Sequence, residues 1–462
     1  MSEARQARGA GETGKPPYGV LVAMICGTML CGICQTAMNT MLPAVMPEMG
    51  TSVATGQWLV TIFQLCLGIT MPTVAFLSKR YSLRALCVAA MLCFAAGVAM
   101  VGLGTSFWVL FMGRAVEGVA TGILMPLVQV VVFTRFPPQR WGTIMGFVGL
   151  TFGVAPNLGP TIGGAVTAVW SWRVFFLGAL ALSLVAMAAM AKLLAGGRAG
   201  DGTVTMDAPS LLLSILGFGG LLLGVSNAAS AGFASAACLV PIAVGAVFVV
   251  AFVRREKRVE NPMLNMSVFS DRDFSLGTVM VSLLFCAFIG VALVLPLELQ
   301  SLHGFDAMQA GMALLPGTVA AFIMAPVSGM LTDRVGARVV CAMGSVLLTV
   351  GTVLMLHLST IDSLGQVMVL QAVRAFGISS LIVPYTTWSV HGLPHEIVAD
   401  GTSISNAARQ IAAAIGTSSM VLLMAGGATD GSVTAAGVDA AMLFSFVLTV
   451  AMTVLTFVFV KK

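Results

Sequence analysis

Charge is what this chain has least of. Lys, Arg, Asp and Glu make up 9% of its 462 residues, while 58% are hydrophobic; an ordinary soluble protein carries about 25% charge. Such a chain cannot solvate a globular surface of its size, which excludes a soluble enzyme and a nucleic-acid-binding domain and leaves a protein embedded in lipid. The four histidines (His303, His357, His391 and His395) map to loops or span ends, and the nine cysteines lie mostly in apolar runs without paired spacing. No metal site is expected from them, and no nucleophile-and-base constellation or cofactor fingerprint is present, so neither an enzyme nor a cofactor is expected. G-A-G-E-T-G-K, from Gly9 to Lys15, has the glycine spacing of a phosphate loop, but Pro16 stands where Ser or Thr would hold the metal and no strand precedes it.

What the chain has instead is long apolar runs. An apolar helix crosses the bilayer core in about 20 residues, and fourteen such windows are predicted, at 18–45, 56–76, 83–102, 107–133, 142–165, 174–194, 209–226, 234–253, 274–297, 307–331, 338–356, 365–393, 401–425 and 439–460. The fold class is an all-α membrane protein. With the N-terminus inside, 19 of the 23 Lys and Arg residues fall on the inner side, as expected of cytoplasmic loops. Both termini are therefore placed in the cytoplasm, with the protein in the plasma membrane.

Of the four other basic residues, Arg173 belongs near the outer face, while Arg114, Arg374 and Arg409 lie within spans. Arg114 and Glu117 lie deep in the fourth span, where a charge costs several kcal/mol unless paired. With Thr121 they share one helix face and can neutralise each other. The fifth predicted span carries glycines and two prolines, Pro156 and Pro160; Gly159, Gly163 and Gly164 are small enough to let another backbone approach. A-F-L-S-K-R-Y-S-L-R (Ala75 to Arg84) corresponds to G-M-L-T-D-R-V-G-A-R (Gly329 to Arg338), and R-A-V-E-G from Arg114 to R-A-F-G-I from Arg374. The chain is thus two copies of six spans with a pair between them: a tail 1–17, a half 18–194, a linker 195–273 holding two extra spans and a basic loop, and a half 274–462. A substrate site is expected near the midplane between the halves.

R-A-V-E-G-V-A-T-G-I-L-M-P (Arg114 to Pro126) resembles the fourth-helix motif of the major facilitator superfamily, and G-P-T-I-G-G (Gly159 to Gly164) its fifth-helix antiporter motif. Fourteen spans with the extra pair in the middle resemble the drug:proton antiporter-2 family, as do E-N-P-M-L-N-M-S-V-F from Glu260, G-M-A-L-L-P-G from Gly311 and S-I-S-N-A-A-R-Q from Ser403. The resemblance implies a major facilitator fold and proton-driven export of small amphipathic molecules, cationic or zwitterionic. It also marks a departure: Cys34 stands where the family often has an acid, so the proton site is expected to have moved to Glu117. Lys79 likewise replaces the acid of the first loop motif, whereas Asp333 and Arg334 keep the second.

The site expected from these readings has three parts. Arg114, Glu117, Asp333 and Arg334 serve proton coupling and gating, the last two as a charge latch at the cytoplasmic ends. Gln35, Asn39, Gln64, Asn157, Tyr385, Trp388, Asn406 and Arg409 line the cavity. Gly159, Pro160, Gly163 and Gly164 pack the antiporter helix. Partners are a small-molecule substrate, protons and the lipid bilayer, with no nucleic acid, and the protein is expected to be monomeric. The competing readings are a specific metabolite exporter or facilitator without proton coupling, and a non-transporting membrane sensor.

Overall fold

The computed structural model describes residues 18–194, 207–361, 363–425 and 433–460. The predicted tail, the Gly9–Lys15 loop and nearly all of the 195–207 connection lie outside the described residues. Every regular element within them is helical. The first set comprises α1 (Tyr18–Met49), α2 (Trp58–Arg80), α3 (Leu83–Leu103), α4 (Phe107–Arg135), α5 (Trp141–Gly153), α6 (Ala155–Val169) and α7 (Trp172–Leu193). The middle pair is α8 (Ala208–Ala231) and α9 (Ala236–Glu256). The last set comprises α10 (Arg272–Ser301), α11 (Leu315–Val335), α12 (Ala337–Val353), α13 (Leu364–His391), α14 (Val398–Met424) and α15 (Ala435–Phe459).

Helix starts follow side-chain caps. Ser82, Asp207, Ser235, Asp271 and Thr434 each accept a backbone N–H from the first turn of the helix they precede, satisfying donors the helix leaves open. Asp207 also binds Arg255 at the end of α9, at 2.6 and 2.9 Å. This arginine, with Ser210, holds the Asp207 carboxyl well below the usual carboxylate range.

Among the described residues, twelve segments are long and apolar enough to cross a membrane. The remaining two of the fourteen predicted spans are shorter for local reasons. The fifth is broken at Val154 into helices of 13 and 15 residues, because Pro156 cannot donate to the carbonyl one turn back. Asn157 caps the break by donating to the Gly153 carbonyl at 3.2 Å. The eleventh, α12, begins only after Gly336, whose φ of 87° ends α11, and is 17 residues long.

The packing repeats. In the first set α1 lies on α6, α2 on α4, and α3 on both α4 and α7; in the last set α10 lies on α14, α11 on α13, and α12 on both α13 and α15. This is the pairing expected of two copies of one six-helix unit. α4 is the most enclosed helix, with 83% of its apolar window buried against 17% for α9. The middle pair packs through a glycine seam, Gly217, Gly220 and Gly224 against Val249, Gly245 and Cys238, and α8 rests on α2 and α14.

The break in the fifth span lets its two pieces follow different partners. α5 lies against α11 of the other set, with Gly142, Gly146 and Gly153 facing Gly329, Ala325 and Ala321, while α6 lies against α1 of its own set. A Cβ on Gly159 would fall on Thr36 Oγ1 and come within 2.5 Å of the Ile33 carbonyl, and one on Gly163 would lie 3.1 Å from Ala37 Cβ. Pro160 joins this contact through its carbonyl, which accepts from Thr40 Oγ1 at 3.4 Å. Gly164, expected to pack with them, has nothing within 4 Å of such a Cβ among the described residues; the helix turns it away from α1. Overpacking of about 1–3 kcal/mol or more is expected for Gly159→Leu, which should lower the melting temperature in detergent by several degrees, while Gly164→Leu should melt as wild type does. Equal melting of the two variants would show that the α1–α6 contact is not set by Gly159.

Candidate functional site

Several polar clusters interrupt the apolar interior, Arg374 with the Ala287 carbonyl and Ser445 among them, and small residues on α4 place the first of the three described below. Gly113 and Gly97 bring α3 and α4 into backbone contact, and Gly118 and Gly122 do the same for α2 at the Phe63 and Leu67 carbonyls. This close approach puts Arg114, fully buried, within reach of two neighbouring helices. It donates through Nε to the Leu59 carbonyl at 3.2 Å, through Nη1 to the Cys34 carbonyl at 3.2 Å, and through Nη2 to the Gln35 carbonyl at 3.3 Å. Nη1 also donates to Glu117 Oε2 at 2.6 Å, and the guanidinium lies 4.3 Å from the centre of the Phe63 ring. Cys34, where the family often has an acid, thus contributes its carbonyl to hold the arginine. Glu117 is equally buried, and its Oε1 has no hydrogen-bond partner among the described residues.

The second cluster joins the two sets of helices. Gln64 Oε1 accepts from Gln35 at 3.1 Å and from Gln410 of α14 at 2.6 Å. One turn away on α14, Asn406 donates to Gln129 of α4 at 2.8 Å and accepts from Arg409. The Arg409 guanidinium carbon lies 4.1 Å from the Phe152 ring centre and 4.6 Å from that of Phe285. Of the expected cavity residues, the structure therefore brings Gln35, Gln64, Asn406 and Arg409 together. Asn157 is committed to the break between α5 and α6. The Tyr385 hydroxyl is bonded to Thr456 at 2.5 Å within the last set, Trp388 is packed in the apolar core, and Asn39 is exposed on α1 with no hydrogen bond among the described residues.

The third cluster closes the face that carries the basic loops. Asp333 accepts from the Gly142 and Thr143 backbone N–H groups at 2.8 and 2.6 Å and from Thr143 Oγ1 at 2.6 Å. A carboxylate there meets the open donors and positive end of α5. Arg334, expected to share the latch, is exposed and makes no ion pair among the described residues. The equivalent contact of the other copy has inverted charge: Lys79 binds buried Asp400, in the first turn of α14, at 2.8 and 3.0 Å. The acid missing from the first loop motif thus reappears on the helix it faces.

Sequence reasoning passed over Gln129, Gln410, Asp400, Phe152 and Phe285. Gln410 adjoins Arg409 in the quoted motif and Asp400 stands next to the predicted start of its span at 401, so both left a signal. Gln129 and the two phenylalanines are ordinary residues of apolar runs and left none.

With this geometry in view, comparison with known proteins decides the family. The model of the Major Facilitator Superfamily matches residues 24–417. The chain belongs to the major facilitator superfamily. It is 36% identical over 413 residues to the transporter YhcA of Bacillus subtilis, covering 89% of this chain and 77% of that one. It is 32% identical over 425 residues to the lincomycin resistance protein LmrB of Listeria monocytogenes (91% and 89% covered), and 25% identical over 401 residues to the multidrug export protein EmrB of Escherichia coli (86% and 78% covered). These multidrug relatives are of the drug:proton antiporter-2 type. The crystal structure of the human organic anion transporter MFSD10 superposes with a TM-score of 0.70 over 96% of this chain and 100% of that one; at 14% identity the likeness is one of fold.

The closed basic face yields a graded expectation. Asp333 is exposed, and a charge at a helix N-terminus contributes about 0.3–1 kcal/mol. Asp333→Asn should therefore shift the population with an open basic face by a few-fold at most. Lys79→Ala leaves Asp400 buried without its counter-charge and should shift it further. Accessibility of single cysteines to a membrane-impermeant thiol reagent on that face reads both, and unchanged labelling in both variants would show that neither contact holds the face closed.

Proposed function

We propose that this protein is a secondary active exporter of small amphipathic compounds that works by proton antiport and alternating access. In this reading it crosses the plasma membrane fourteen times as a monomer, α5 and α6 forming one broken crossing and α12 a short one. The basic face is cytoplasmic, both termini lie there, and two six-helix halves move against each other about the Gln64–Gln410 and Gln129–Asn406 contacts. The names of LmrB and EmrB support the export of drug-like molecules.

The observation that carries the proton part is the orphan oxygen of Glu117. One carboxylate oxygen binds Arg114 and the other, fully buried, binds nothing among the described residues. A buried acceptor left open is costly, and a proton on that carboxyl lowers the cost of burying its charge. Protonation weakens the charge-assisted bond to Arg114, whose other bonds tie α4 to α1 and α2. The proton state therefore acts on helix packing. Direct competition of proton and substrate for one group is not required: Glu117 and Gln129 are twelve residues apart on α4, about 18 Å at helical rise. Coupling passes instead through the change of state, with the proton held in the first half and the substrate between halves.

A facilitator without coupling is the second reading, favoured by the short Arg114–Glu117 contact and by Cys34, which would make the pair a permanent strut. Proteoliposomes with an imposed pH gradient separate the two. Glu117→Gln is expected to reduce accumulation to the equilibrium level while exchange down a gradient persists. Accumulation by Glu117→Gln equal to wild type would make the pair a strut and remove Glu117 from coupling.

A further inference from the structure

The inter-half cluster has more donors than acceptors, and its only formal charge is positive. Arg409 retains 6% of its surface exposed, lies against two phenylalanine rings, and donates through Nη2 to Asn406; Nε and Nη1 have no acceptor among the described residues. The next residues in the chain of bonds cannot supply one. The Asn406 oxygen is taken by Arg409, the Gln129 oxygen by Asn406, and the Gln129 amide nitrogen is buried with no partner among the described residues. On the other side, the Gln64 oxygen is already shared by Gln35 and Gln410. The acids nearest in depth are committed elsewhere, Glu117 to Arg114 and Asp400 to Lys79. Glu298 lies 2.8 Å from His303, at the far end of α10.

A buried cation without a counter-charge is unfavourable, and buried charges in proteins are paired. We infer that Arg409, with the free amide of Gln129, forms an anion-binding subsite between the halves, and that the substrates of this exporter are apolar or aromatic carboxylates. The planar fork of an arginine matches a carboxylate in two-point geometry. The same cluster disfavours the cationic substrates that the family resemblance suggests. Among the described residues no acid is free to hold a cation there, and one face each of Phe152 and Phe285, which a cation would seek, is taken by the guanidinium. Phe152 belongs to α5, Phe285 to α10 and Gln129 to α4, so an anion on Arg409 touches a cluster assembled from both halves.

This inference rests on the exporter reading for its meaning, but its test needs neither transport nor a gradient, so each can fail alone. Purified protein in detergent is titrated by calorimetry with three probes of one shape: 2-naphthoate, neutral 2-naphthamide and cationic 2-naphthylmethylammonium. Wild type is expected to bind the carboxylate at least about tenfold more tightly than the other two. Arg409→Gln should lose that preference and Arg409→Lys should recover part of it, each at a melting temperature near that of wild type. If Arg409→Gln unfolds, the wild-type ranking together with Gln129→Leu, expected to weaken the carboxylate selectively, carries the test. A cation bound as tightly as the carboxylate, a carboxylate preference untouched by both Arg409→Gln and Gln129→Leu, or no difference among the three probes in wild type, absence of binding included, would overturn the subsite.

Discussion

A charge inside this molecule has to be answered by another group, because the bilayer interior offers no water to do it. That requirement explains most of what is polar within the helices. Arg114 is met by one carboxylate, three carbonyls from two other helices and an aromatic face. Asp400 is met by Lys79 and by the Asn265 N–H. Each set of partners comes from elements far apart in sequence, so satisfying the charge also fixes how those elements pack. The answer is incomplete at several places, Arg374 Nε and Nη1 among them; at the open oxygen of Glu117 and the open edge of Arg409 a mobile species can complete it. Those two places are where proton and substrate are assigned.

The glycines supply the proximity that makes such answers possible. Without the contacts at Gly97, Gly113, Gly118 and Gly122 the arginine of α4 would not reach α1 and α2. The same logic in the fifth span is divided by the break at Val154. α5 can stay with α11 while α6 stays with α1, so one face closes without forcing the other closed. Contacts between carboxylate and helix end at Asp333, and between Lys79 and Asp400, then add modest weight to the closed basic face. They are placed where a few kcal/mol can be gained or lost in moving between states.

Much of this was legible in the sequence, and for physical reasons. Depth alone marked Arg114 and Glu117, since charge that far inside an apolar run must be paired, and i, i+3 spacing supplied the partner. The repeat was legible because two loop segments kept the same register, and the repeated pairing of helices follows it. The inverted latch was half visible: Lys79 was out of pattern, but its partner Asp400 is some 320 positions away, and no local rule links them. Tyr385 and Asn157 were plausible cavity residues by type, yet Thr456 and the freed Gly153 carbonyl claim them, and such claims depend on three-dimensional neighbours. Gln129 was silent because a lone amide in an apolar span reads the same whether it faces a helix or a ligand.

The central claim is that the proton on Glu117 selects which face is open. Its most direct test is a pulsed-dipolar distance measurement across the basic face, between nitroxides at Arg84→Cys and Arg338→Cys, with the exposed Cys26 and Cys93 replaced by serine, as pH is varied. With Glu117 ionised the latches hold this face closed, so lowering the pH should transfer population from a short to a long distance in the otherwise wild-type protein. In Glu117→Gln the long distance should be populated at every pH. If the distances in Glu117→Gln follow pH as those of the wild type do, the proton that moves this protein is bound elsewhere.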